Sequence, residues 1–167
     1  YGNAMLLMNT GVYGLFILLY YNAVNASFNG VTFGLIFCML ACCDSGAHPG
    51  TVLPEMAGYV VAAWVFSKLS PLLGGTFVRG LNAQPIVIGL CYASGLAPIT
   101  GTYGWQYGFL AAILHYCLVT TVPSLHGGFC LYNGGFTAAF VCLLLVPVLK
   151  RFCHTKEERL ARRHARV

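Results

Sequence analysis

Apolar residues in this chain run on in stretches long enough to cross a bilayer, and that constrains the fold more than any motif does. A helical crossing takes about 20 predominantly apolar residues. Residues 4–21 meet that requirement, 31–43 continue a run that begins near Ala26, and 52–69 and 105–122 supply two more. The run 135–149 reaches full length only if its helix starts within the glycine-rich stretch before it. The run 85–96 is short and closes on "APITG", where Pro98 and Gly101 interrupt a helix.

Composition agrees. With 58% hydrophobic and 8% charged residues and a mean hydropathy of +0.74, the chain lacks the polar surface of a water-soluble domain. The expected fold is all-α: a polytopic membrane protein of about five to six transmembrane helices, with a re-entrant or broken helix. The expected division is a transmembrane helical domain over 1–149 and a basic cytoplasmic tail over 150–167, in the cell membrane.

Seven of the nine basic residues lie in that tail: Lys150, Arg151, Lys156, Arg159, Arg162, Arg163 and Arg166. Directly after an apolar segment, such a run fits a cytoplasmic juxtamembrane extension rather than a nucleic-acid site. Its "KEERLARRHAR" mixes acid and base at helical spacing, as a short solvated or headgroup-lying helix does. If Lys68 and Arg79 lie on the same side as the tail, the chain crosses an even number of times between them. One of the three intervening runs then fails to cross, and 85–96 is the best fit. In the alternative, the stretch from Pro123 to Gly135 threads the membrane as irregular backbone. The chain opens on Tyr1, as a processed chain or a piece of a longer one would.

The eight cysteines form no Cys-x-x-Cys pair, and five sit inside apolar runs as small hydrophobes. No metal or other cofactor is expected. A faint echo links "GVTFGLIFCMLACCDSGAHPG" with "PIVIGLCYASGLAPITG", each an apolar run before a Pro/Gly break; duplicated halves with broken helices are a transporter plan.

The residues with chemistry to offer centre on "SLHGGFCLYNGGF". Gly127, Gly128 and Gly135 allow close backbone approach, while Tyr132 and Asn133 offer a hydroxyl and an amide. His126 can donate, accept or titrate near neutral pH. His115 lies within the preceding apolar helix, where an ionisable group needs a partner or a cavity; Pro123 is expected to keep it out of register with His126. Asp44, His48 and Glu55 match no zinc signature. Asp44 reads as a loop cap, and Glu55, after Pro54, as an acid at a positive helix start or in a solute path. Gln84 and Thr100 add neutral hydrogen-bonding groups near 85–96. Tyr103, Trp105 and Tyr107 read as an interfacial belt.

The run "LAPITGTYGWQYGFLAAILHYCLVTTVPSLHGGFCLYNGGFTAAFVCLLLVPVL" resembles a bacterial family of multi-pass membrane proteins known as a domain of unknown function, 1576. The family pattern places Leu-Ala-Pro-Ile and Gly-x-x-Gly before a His-bearing helix, then His-Gly-Gly-x-Asn-Leu-Tyr-Asn-x-Gly-Phe; "HPGTVLPEMAG" is similar to its His-Pro element. The chain departs from it at Cys130 and Gly134, where asparagines are expected. The resemblance covers the C-terminal half of a family member and implies a membrane protein with no assigned activity.

These residues together point to a channel or transporter module for a small polar solute or ion. His126, Gly127, Gly128, Tyr132, Asn133 and Gly135 would line its path, faced by Gln84 and Thr100. No Gly-x-x-x-x-Gly-Lys loop occurs, so coupling would run through an ion or proton gradient, with His115 or Glu55 titrating. One rival is an intramembrane enzyme joining His126, His115 and Glu55; another is a non-catalytic subunit of a larger membrane complex. The expected partners are lipid and the solute, with a homo-oligomer or pairing with a missing N-terminal half, and no nucleic acid.

Overall fold

The computed structural model describes residues 2–70, 72, 80–125 and 133–165, with backbone alone at 31, 84–85, 123–125 and 133. The described residues are helical and contain no strand. In chain order the helices are α1 (Asn3–Ala23), α2 (Gly30–Ala41), α3 (Pro49–Leu69), α4 (Gln84–Ala93), a 3₁₀ turn (Ser94–Leu96), α5 (Ala97–Tyr103), α6 (Trp105–Leu125), α7 (Asn133–Phe152) and α8 (Lys156–His164). At 1.5 Å per residue, a helix of α3's length spans about 30 Å, the thickness of a hydrocarbon core.

The distribution of side chains is that of a protein dissolved in lipid. Leu7, Leu15, Phe37, Trp64 and Leu143 are exposed, while Glu55, Thr100, His115 and Thr137 are buried. Lipid accepts the apolar exterior at no cost, and polar groups turn inward to find partners. Four helical segments are long and apolar enough to cross: Asn3–Ala23, Pro49–Leu69, Ile86–Tyr103 and Gly134–His164. The chain is therefore a multi-pass membrane protein.

Local chemistry sets the ends of the helices. The His48 imidazole caps α3 by accepting from the Gly50 amide (3.1 Å), and Thr51 Oγ1 accepts from the His48 amide (3.1 Å). The sequence reading of Glu55 as a helix-start acid is thus corrected: α3 begins six residues earlier, with Pro49 at its first position. Asp44 is exposed in the turn before it. Asn25 has a φ of 51° just after α1, a left-handed cap that asparagine tolerates. Between α5 and α6 the reversal occurs at Gly104, whose φ of 124° suits glycine. Pro123 does not end α6, which continues to Leu125.

Contacts fix the direction of each helix. Asn9 Nδ2 donates to the Ala47 carbonyl and Gly14 lies against Leu40, so α1 and α2 are antiparallel. Glu55 meets Thr100 and Tyr59 meets Gly89, so α3 opposes α4–α5. Thr100 lies on Gly108 and Gly89 on Val119, so α6 also opposes α4–α5 and runs parallel to α3. Tyr92 packs on Gly134, while the start of α8 and the end of α7 reach Tyr103. Accordingly α1, α3 and α6 run one way, and α2, α4–α5 and α7 run back.

This corrects the sequence argument from Lys68. That residue sits at the end of α3 opposite to the tail, with three helical passes between them, an odd number. The run 85–96 does not turn back after half a crossing. It continues through the 3₁₀ turn into α5, a broken helix traversing 18 residues from Ile86 to Tyr103.

Candidate functional site

Two polar clusters share the interior, and α3 links them. Glu55, fully buried, accepts a hydrogen bond at Oε1 from Thr100 Oγ1 at 2.9 Å. Its other oxygen, Oε2, has no hydrogen-bond partner. The Tyr13 hydroxyl of α1, with Ser94 of the 3₁₀ turn beside it, lies within electrostatic range of the same carboxyl. Thr100 reaches Glu55 because α6 offers a glycine there: a Cβ at Gly108 would meet Thr100 Oγ1 at 1.9 Å. A buried carboxyl with one oxygen unmatched is costly in an apolar bundle.

One turn along α3, Tyr59 bonds through its hydroxyl to His115 Nδ1. The opposite ring nitrogen, Nε2, lies 2.8 Å from the Gly134 carbonyl and 2.8 Å from Thr137 Oγ1. A carbonyl only accepts, so the Nε2–H donates and Nδ1 must accept from the Tyr59 hydroxyl. Thr137 Oγ1 in turn donates to Gly134 O at 3.1 Å. All hydrogens of this set are accounted for, and α3, α6 and α7 are tied together at the middle of α6. Gly89 leaves room for the Tyr59 hydroxyl, and Gly134 for the Tyr92 ring, which a Cβ would approach to 2.6 Å.

Of the residues singled out in the sequence, the structure brings Glu55 and Thr100 into contact and seats His115 against the start of α7. Gly135 is half-buried beside Tyr92. Gln84 and Asn133 are the first residues of α4 and α7. His126, Gly127, Gly128 and Tyr132 lie outside the described residues. Asp44 and His48 share no hydrogen bond with Glu55, which sits deep in the bundle. Sequence reasoning missed Tyr13, Tyr59 and Thr137. For Tyr59 a signal existed, since a residue four after Glu55 on a helix shares its face; for the other two only the packing reveals the role.

A family model described as "Protein of unknown function (DUF1576)" matches residues 1–151. The chain belongs to this family. The DUF1576 match takes in α1 to α6, both polar clusters and all but the last residue of α7, and stops before α8. Neither the curated proteins nor the solved structures contained a match.

Proposed function

We propose that this DUF1576 protein is a transport module, a channel or carrier that moves a small polar solute or ion across the cell membrane. One observation carries the reading: a fully buried carboxyl, Glu55, with an unmatched oxygen inside a largely apolar helical bundle. Ionisable groups held at such depth are expensive and mark paths for ions or solutes. The adjoining broken helix α4–α5 supports the same reading, because interrupted helices bring backbone and side-chain polar groups to the midplane. His126, Tyr132 and Asn133, with Gly127, Gly128 and Gly135, extend the proposed path from the start of α7, and Gln84 from the start of α4.

The His115 set weighs against the enzyme rival. Both ring nitrogens are engaged, so His115 is a tie between helices rather than a free acid or base. The tail is proposed to be cytoplasmic, since the basic residues gather at its end of the bundle.

Flux into proteoliposomes, screened across small neutral and ionic solutes, tests the function. Selective flux lost in Glu55→Gln and altered in His126→Ala and Asn133→Ala is the expected result. Inserted, folded protein that moves no solute under any gradient would overturn it.

A further inference from the structure

We propose that Glu55 is a proton-binding site, loaded on Oε2, whose occupancy controls how firmly α3 holds the broken helix through Thr100. The inference deepens the transport reading by naming the coupled species, and it rests on that reading only for the link to flux.

The donor set decides between a proton and a larger cation. Glu55 lies within electrostatic range of Tyr13 from α1, Cys42 in the turn after α2, Tyr59 on its own helix and Cys142 from α7. From α5 it meets the Thr100 hydroxyl; Ser94 and Cys91 lie near Tyr13 on the broken helix, and His115 of α6 is engaged with Tyr59. These are alcohols, phenols, thiols and one committed imidazole; among the described residues no lysine, arginine or second carboxylate joins them. A metal cation would require several hard oxygen ligands, usually carboxylates among them, and no group of three or more His, Cys, Asp or Glu side chains that could hold one occurs among the described residues. A proton needs one oxygen. Oε2 is that oxygen.

Release breaks the Oε2–H bond, leaves its electron pair on the carboxylate and passes the proton to a water molecule; loading reverses the step. In the loaded form Oε1 is the carbonyl oxygen and accepts from Thr100. In the released form the same bond becomes charge-assisted and stronger, and the Tyr13 hydroxyl, beside Ser94 and within electrostatic range of Glu55, can turn toward the new charge. The hold on α5 therefore changes with occupancy. The 3₁₀ turn at Ser94–Leu96 and Gly104 flank α5 as points where its backbone departs from α-helix.

Infrared difference spectra of the full chain in liposomes, between acid and alkaline pH, read the site without any flux measurement. The expected result is a protonated-carboxyl C=O band that titrates, is lost in Glu55→Gln and survives in Glu158→Gln. Because Thr100 bonds the carbonyl oxygen, Thr100→Val and Gly108→Ala should each move that band to higher frequency. These two variants carry the test if Glu55→Gln fails to fold. A cysteine at position 102 should label at a pH-dependent rate that Glu55→Gln abolishes. No titrating band from Glu55 overturns the proton site, and a band unmoved by Thr100→Val together with pH-independent labelling overturns the coupling. A titrating band in protein that transports nothing sinks the transport reading alone.

Discussion

At the scale of single residues, the interior separates a satisfied histidine from an unsatisfied acid. His115 spends both nitrogens on Tyr59, Gly134 and Thr137, so its removal orphans several buried groups at once. Each orphan costs about 1–3 kcal/mol. His115→Phe should therefore lower the thermal unfolding temperature in detergent by more than Tyr59→Phe does. The double variant should be less destabilised than the sum, because removing the Tyr59 hydroxyl removes one of the orphans; strict additivity would contradict the bond. Sequence made His115 visible as an ionisable group in an apolar run, yet its partners come from residues 56 and 22 positions away. No local pattern encodes such pairings.

At the scale of helices, small residues set the crossings. A Cβ at Gly58 would stand 2.7 Å from the Phe109 carbonyl oxygen and 2.8 Å from Ala112 Cβ, so α3 and α6 meet almost backbone to backbone. Without a hydrophobic drive between helices in lipid, such close packing supplies much of the association. Gly58→Ala should cost about 1–3 kcal/mol as overpacking, whereas Gly101→Ala, with open space around it, should be neutral or slightly stabilising through helix propensity. Thermal unfolding of the two variants side by side checks this; equal effects would refute the crossing. The apolar runs foretold nearly every helix; the break expected at Pro98 and Gly101 falls just before them, at Ser94–Leu96, and both residues lie within α5. Proline alone misled at Pro123 and Pro54, which lie within α6 and α3. Neighbouring helices and backbone adjustment let a bilayer protein carry proline inside a helix.

At the scale of the whole molecule, the alternating direction of the passes places the connector 42–48, Gly104 and α8 at one end of the bundle. Ser70 stands at the other. Arg159 of α8 donates to the Tyr103 carbonyl, so the tail helix is docked on the end of the broken helix. Cysteines introduced at 70 and 102 should accordingly react with impermeant reagents from opposite sides, with 102 sharing the side of the tail; labelling of both from one side would contradict the direction of α4–α5. The basic-residue rule had suggested one shared side. Of the two residues behind that expectation, Arg79 lies outside the described residues, and Lys68 sits at the end opposite to the six described basic residues of the tail; the rule counts bias rather than single charges.

Solvent, fold class and the positions of the passes followed from the sequence by itself, because a bilayer imposes length and apolarity on any segment that crosses it. Glu55 and His115 stood out for the same reason, as ionisable groups where lipid makes them costly. Which of the two is satisfied was decided only by tertiary structure. Hydrogen bonding inside the bundle depends on the rotation and depth at which helices meet, and these are set by the glycine contacts at 58, 89, 108 and 134. The direction of α4–α5 was likewise decided by packing, since a short apolar run can either turn back or continue past a break. Here the 3₁₀ turn keeps the helix on course, and Thr100 arrives beside Glu55.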